Sequence, residues 1–445
     1  MPPKARPDVP TRGTVPVTDA GAGGLVRLCA AGFAAYCSYA ICRTPLLPLF
    51  ASDLGAGASA IGFVMGASTL TGIVLKLPAG AWSDILGRRP LLVAGAFVFA
   101  TVPFTYLGVS TLAVLVMLRF VHGSATAVFG PVASASLSDI APPSKRGTWL
   151  STYSTAQGAG QALGPVLAGY LISAGRFDLA FVAAGVIGLA APLIVAGWRG
   201  SSAAPPGMAR WHDFKAGIGE VARNRLVLVT SAAQAAQFVL NGALNAFLPL
   251  YGRDVIGLTT PQLGWLFGVQ TVTTLAVRPL IGRVSDRAGR RWVIAAGLTV
   301  CSAAVLGMSG ASDVRALVAA VVAYAAGVAT TTAATSAYIT DVTRRARYGA
   351  AHGVFGTIYD VGDALGPIAA GLLVATVGYA RMFQVMALVG FTMSVVFLIS
   401  SRSRLPLRTL VVATVLLGWP VVSSAQFTLQ GVQAPSPGAR SVRTG

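Results

Sequence analysis

Arg43, Arg119, Asp360 and Asp363 are charged residues embedded in long apolar stretches. Each would cost roughly 2.5–3.5 kcal/mol at the centre of a membrane helix, on the order of 10 kcal/mol together, unless paired or hydrated. Such groups either fix packing as buried ion pairs or face a wet cavity, and their neighbours favour the cavity, because isolated structural pairs seldom repay desolvation. Tyr36, Tyr39 and Arg43 recur at spacings of three and four, as do Arg119 and His122, Ser154, Gln157 and Gln161, and Gln234, Gln237, Asn241 and Asn245. Each set occupies one face of a helix, and four such stripes would line a polar path through an apolar protein. The chemistry available there is proton exchange at Asp360, Asp363 or His122 as they are alternately buried and wetted. Two arginines add charge-assisted hydrogen bonds for an anionic solute.

The elements that carry these stripes are membrane spans. The chain has 445 residues, of which 54% are apolar and 11% charged, against about 25% charged in a soluble domain. These proportions exclude a soluble enzyme, a disordered tail protein and a fibrous protein, and leave a polytopic membrane protein. Apolar stretches long enough to cross roughly 30 Å of hydrocarbon lie near 25–50, 59–82, 91–108, 112–134, 148–172 and 179–198, and again near 226–251, 260–281, 292–310, 314–337, 349–377 and 381–400. The reading is therefore an all-α membrane protein with twelve transmembrane helices in two pseudo-symmetric six-helix bundles, 23–198 and 226–401. A cytoplasmic tail (1–22), a central cytoplasmic loop (199–225) and a C-terminal tail (402–445) complete it, and the short apolar segment 409–422 in that tail is a marginal thirteenth crossing at most.

The net charge of +19 on a soluble chain would point to nucleic acid. Here the basic residues cluster between spans, so insertion topology explains them and no nucleic-acid partner is expected. With the N-terminus cytoplasmic, 25 Lys and Arg fall on the inner side, among them Arg88, Arg89, Arg290 and Arg291, and only Arg176, Arg253, Arg315 and Arg381 on the outer side. Cys29, Cys37, Cys42 and Cys301 lie within spans, without the spacing of a metal site or a disulfide framework.

Gly80-Ala-Trp-Ser-Asp84-Ile-Leu-Gly87-Arg88-Arg89 follows the second span, and Gly282-Arg-Val-Ser-Asp286-Arg-Ala-Gly289-Arg290-Arg291 follows the eighth, at an offset of 282 − 80 = 202. The same shift carries Asp139 onto Asp341, Gly164-Pro165 onto Gly366-Pro367, and Gly169 onto Gly371. Three separated landmarks sharing one offset mean two copies of a six-helix unit, with a binding site expected between them near the midplane. In so short a loop the glycines permit a tight turn. Asp84 and Asp286 can accept from helix N-terminal amides, and the arginines can pair with them or with C-terminal carbonyls of neighbouring helices. Contacts of this kind would form in one gate position and break in the other.

These residues resemble the major facilitator superfamily of secondary transporters. Its loop motif Gly-x-x-x-Asp-Arg-x-Gly-Arg-Arg is matched in both halves, with Ile85 in place of Arg in the first copy. Arg119-Phe-Val-His122-Gly123 resembles the family's Arg-x-x-x-Gly motif, and Gly158 through Gly164-Pro165 to Gly169 is similar to the Gly-Pro motif of its proton-coupled exporters. The resemblance implies alternating access and a modulating role for Arg119 beside a proton site.

The leading expectation is proton-coupled efflux of a small organic solute by a monomer in a cell membrane, the bacterial inner membrane. The solute and proton pathway would comprise Arg43, Arg119, His122, Gln157, Gln161, Gln237, Asn241, Asn245, Asp360 and Asp363. A second expectation is uptake or exchange of an organic anion at Arg43 and Arg119, since the first and fourth spans hold no carboxylate. A third, from another class, is a non-transporting receptor or scaffold. No nucleophile–base pair, metal cluster or nucleotide loop stands in the sequence, so neither an enzyme nor a cofactor is expected.

Overall fold

The computed structural model of the chain describes residues 21–173, 176–198, 219–221, 223–344 and 347–402, without the side chains at 77, 80, 81, 84, 85 and 349. The N-terminal tail, most of the central loop and the C-terminal tail with its segment 409–422 lie outside the described residues. Among the described residues all regular structure is helical.

Each expected span is a helix. The first is α1 (Ala22–Arg43), which stops where Pro45 cannot continue its ladder, followed by the short α2 (Leu46–Asp53). Then come α3 (Ala58–Ile85), α4 (Arg88–Thr105), α5 (Leu112–Ile140), α6 (Arg146–Ser173) and α7 (Phe177–Ala196). The second series is α8 (Arg225–Tyr251), α9 (Thr260–Ala288), α10 (Arg290–Met308), α11 (Val314–Asp341) and α12 (Tyr348–Arg402). The last helix holds two spans, because Gly378 sits at φ 79°, ψ 176° and turns the chain between them.

Among the described residues, nine helical stretches are long and apolar enough to cross a membrane on composition alone. Of the twelve expected spans, α6 and α9 fall short of that measure, and α12 is one stretch containing two.

Two compact units share these helices. The first takes in the described residues of Met1–Ala56, Phe63–Gly217 and Leu248–Leu275; the second takes in those of Gly57–Gly62, Ile218–Phe247 and Ala276–Gly445.

In the first unit α1 packs along α6 and α7, and α4 packs against α5 and α7. Leu28, Ala31 and Ala35 of α1, Leu92 and Phe99 of α4, Phe129 of α5, Trp149 and Tyr153 of α6 and Val195 of α7 share one core. Backbones touch where side chains are smallest. A β-carbon at Gly160 would lie 2.5 Å from the Phe33 carbonyl oxygen, and one at Gly164 2.9 Å from that of Cys37. Further along the same helix, a β-carbon at Gly169 would lie 2.5 Å from the Thr260 carbonyl at the start of α9.

The second unit repeats these contacts. Its core joins Val229 and Ala233 of α8, Ile294 and Leu298 of α10, Ala334 of α11 and Phe397 of α12. A β-carbon at Gly362 would collide with the Ala235 carbonyl, one at Gly366 with the Val239 carbonyl, and one at Gly371 would lie 2.6 Å from the Ala58 carbonyl. The shift of 202 takes Gly160 and Phe33 to Gly362 and Ala235, and Gly164 and Cys37 to Gly366 and Val239. The duplication read from the sequence therefore extends to individual backbone contacts.

Small residues carry these contacts because lipid is as apolar as Leu, so helices in a bilayer gain little by burying apolar side chains and depend on close van der Waals approach. Gly366→Val should force α12 off α8 and destabilise the protein by about 1–3 kcal/mol or more, read as a lower melting temperature in detergent, and Gly164→Val should do the same. Gly307→Ala, where a β-carbon meets nothing within 4 Å, should leave melting unchanged or raise it slightly.

Candidate functional site

The close approach of α5 to α3 is made at Gly123, where a β-carbon would collide with the Ser68 carbonyl. One turn before Gly123, Arg119 is fully buried: its Nη2 donates to the Ser68 hydroxyl at 2.5 Å and its Nε to the Val64 carbonyl at 3.4 Å. The Arg-x-x-x-Gly spacing thus has a local physical meaning. The glycine brings the backbone of α3 near enough for the arginine to be held by it.

Tyr39 of α1 completes this arrangement, with its hydroxyl 3.3 Å from that of Ser68 and its ring centroid 5.9 Å from the Arg119 guanidinium carbon. His122, also fully buried, packs edge-on against Tyr39 at 4.9 Å between centroids, and its Nδ1 lies 3.2 Å from the Tyr106 hydroxyl. Arg119 and His122 therefore share one face of α5, as their spacing predicts, and both surround Tyr39. The remaining predicted residues of this unit are more open. Arg43 is half-buried in the last turn of α1, Gln157 is half-buried and donates to the Tyr153 hydroxyl at 3.1 Å, and Gln161 is exposed.

In the second unit Asp360 and Asp363 are both buried on α12, and Asn241 of α8 donates to Asp363 Oδ1 at 3.4 Å. The backbone contacts at Gly362 and Gly366 hold α12 where this bond can form. Gln234 and Gln237 are fully buried. Gln234 donates to Gln237 Oε1 at 2.9 Å and accepts from the Thr335 hydroxyl, and Gln237 donates to the Tyr324 hydroxyl at 3.4 Å. These two glutamines join α8 to α11, whereas Asn241 and Asn245, further along the same stripe, are half-buried.

Among the described residues no cluster of His, Cys, Asp or Glu could hold a metal ion. Among the residues that touch the predicted ones, Ser68, Tyr106, Tyr153, Tyr324 and Thr335 escaped the sequence reading. Nothing in the sequence set them apart: Ser68 stands beside Thr69 and Thr71, and Thr335 follows Thr330, Thr331 and Thr332.

The two loop motifs build matching networks. Gly87 and Gly289 precede α4 and α10 at φ 92° and φ 85°, a backbone conformation that favours glycine. Arg88 donates to Asp139 at 3.1 Å and to the Ser83 hydroxyl, and Arg290 donates to Asp341 at 2.9 Å and to Ser285 at 3.2 Å. Arg290 also pairs with Asp286 at 2.6 Å, and the side chain of Asp84 lies outside the described residues. Arg89 donates to the Ala196 carbonyl at the end of α7, and Arg291 to the equivalent Leu398 carbonyl and to Ser401. Gly80 and Gly282 lie inside α3 and α9, the latter with open space around it.

Asp139 and Asp341 are thus arginine partners, although the sequence marked them only as landmarks sharing the offset. Both ion pairs are partly exposed, so each contributes little alone. A double-mutant cycle of Arg290→Gln with Asp341→Asn should return a coupling of about 0.5–1 kcal/mol in the melting free energy, and the sum of independent effects would contradict the contact.

Comparison with known proteins places this arrangement. The model of the Major Facilitator Superfamily matches residues 28–263 and 256–429. An uncharacterized MFS-type transporter of Methanocaldococcus jannaschii is 24% identical over 361 residues, covering 79% of this chain and 92% of its own length. The multidrug resistance protein MdtH of Aeromonas hydrophila is 26% identical over 258 residues, covering 55% of this chain and 60% of its own. Among solved structures, a bacterial homologue of the human lysosomal transporter Spinster matches with a TM-score of 0.69 at 15% identity, over 93% of this chain and 98% of its own. The nucleoside transporter NupG matches with a TM-score of 0.71 at 14% identity, over 85% of this chain and 99% of its own. Those two likenesses bear on the fold alone. With two sets of six transmembrane helices, a doubled loop motif and a family match spanning both halves, the chain belongs to the Major Facilitator Superfamily and is a multi-pass membrane transporter, not an enzyme.

Proposed function

We propose that this transporter exports small amphipathic organic compounds in exchange for protons, by alternating access. The observation that carries the reading is the buried carboxyl of Asp363, one helical turn from buried Asp360 and hydrogen-bonded by Asn241. A carboxyl carried inside a span can hold a proton in one state and pass it on in the other, so its occupancy can bias the two states. The MdtH relative of Aeromonas hydrophila and the quinolone resistance protein NorA of Staphylococcus aureus, 24% identical over 147 residues, are named for drug resistance and support export as the direction. The concentration of Lys and Arg in alternate loops supports a cytoplasmic N-terminus in a bacterial inner membrane.

In this mechanism Arg43, Arg119, His122, Gln157, Gln161, Gln237, Asn241 and Asn245 shape the solute path, and Asp360 and Asp363 carry the proton. The loops at Asp84, Arg88, Asp286 and Arg290 bias the cytoplasmic gate. Protein reconstituted in vesicles with an imposed pH gradient should move an amphipathic cation such as a fluorescent dye against its concentration, with matching proton flux. Asp363→Asn should reduce this to the level seen when the gradient is collapsed, while exchange of dye for dye persists. Flux of the unaltered protein that ignores the gradient would refute proton coupling. Asp139→Asn and Asp341→Asn should change the rate of exchange without changing that gradient dependence.

A further inference from the structure

In the first unit, two fully buried side-chain nitrogens have no hydrogen-bond partner by geometry among the described residues: Nη1 of Arg119, a donor, and Nε2 of His122, a donor or an acceptor according to the ring's tautomer. The partners Arg119 does have are neutral: the Val64 carbonyl, the Ser68 hydroxyl and the phenols of Tyr39 and Tyr106. The titratable groups acting on it are the phenols of Tyr39 and Tyr106, with the Cys42 thiol also near, and no carboxylate of the described residues is in contact with it. A guanidinium deep in a membrane protein is retained only with a counter-charge or water. Both nitrogens belong to one face of α5 and both side chains pack on the Tyr39 ring.

From this geometry we infer that Arg119 and His122 bind a small monovalent anion beside Tyr39. One guanidinium charge suits one negative charge. The tight approach of Gly123 to Ser68 and the complete burial of both side chains suit an ion the size of a halide or a single carboxylate group. The anion would select the tautomer in which Tyr106 donates to Nδ1 of His122 and the hydrogen sits on Nε2, pointing a second donor at the ion. The shared chemistry has two sources, a free halide or the acid group of a transported compound. The assignment goes beyond the proton reading, since binding is measurable without flux.

The test uses the purified full-length protein in detergent, titrated with sodium chloride or sodium acetate against sodium gluconate at constant ionic strength. Melting temperature and displacement of radiolabelled chloride are the readouts. A saturable rise in melting temperature is expected. Response to chloride alone identifies a free halide, and response to acetate as well identifies a site that also accepts a carboxylate; either supports the proposal. Arg119→Gln should weaken the response about tenfold or more and His122→Phe should weaken it in the same direction, while Arg253→Gln, at a half-buried arginine paired with Asp53 and Asp254, should leave it intact. The absence of any saturable response in the unaltered protein would overturn the proposal, as would unaltered affinity in a folded Arg119→Gln protein. Should Arg119→Gln not fold, unaltered affinity in His122→Phe has the same force. Gradient-independent flux with intact anion binding would remove proton coupling and leave this site standing.

Discussion

Backbone-to-backbone approach of helices is the contact on which the rest of this protein depends. Inside a bilayer the hydrophobic effect that condenses a soluble core is largely absent, so a bundle coheres where helices come close enough for dispersion and polar contacts to act. Gly160 and Gly164 bring α6 onto α1, Gly362 and Gly366 bring α12 onto α8, and Gly123 brings α5 onto α3. The hydrogen bonds of Arg119 to Ser68 and of Asn241 to Asp363 lie beside such crossings. Arg119 reaches Ser68 because Gly123 lies one turn further on, and Asn241 reaches Asp363 because Gly362 precedes it. Packing and polar chemistry are therefore a single arrangement, in which widening the crossing would also remove the hydrogen bond.

The scaffold repeats and the charges do not. A shift of 202 reproduces the crossings at Gly160 and Gly164, the positive φ of the loop glycine, the arginine–aspartate pair and the arginine bond to the end of the sixth helix of each set, whereas Gly123 and Ser68 map onto Ala325 and Gln270. The same shift carries Arg119 to Val321, His122 to Tyr324, Tyr39 to Asn241, Asp360 back to Gly158 and Asp363 back to Gln161. The glycines at the crossing of the first and fifth spans of each half kept their type, and the charged residues within the spans did not. One unit carries buried cationic and imidazole groups and the other buried carboxylates.

Much of the architecture was legible because hydrocarbon thickness dictates span length and because duplication leaves an offset that any pair of landmarks can report. The break at Gly378 was legible as a gap between two apolar runs. Partners were less legible. Ser68 and Tyr106 are decisive for Arg119 and His122, yet Ser68 stands beside Thr69 and Thr71 and Tyr106 beside Thr105, and which of these finds a partner depends on how neighbouring helices are rotated, which linear spacing does not encode. Gln234 and Gln237 joined a stripe by spacing, but their acceptors and donors on α11 make them ties between helices. A stripe states which residues share a face and not whether that face meets water or another helix.

The loop networks show why weak contacts suit a moving protein. A transporter that passes between two states needs them within a few kcal/mol of each other, because a ligand moves the balance only by its difference in affinity. Exposed ion pairs contribute about 0–1 kcal/mol apiece, and Asp139 and Asp341 are about a third and a half exposed, at 32% and 51%. Contacts of this strength break at little cost. Had Arg88 and Arg290 been buried with their aspartates, breaking either pair would leave an uncompensated charge at a cost of about 3–5 kcal/mol, comparable to the whole difference between states. Their partial exposure keeps that cost low. Arg119, by contrast, is fully buried.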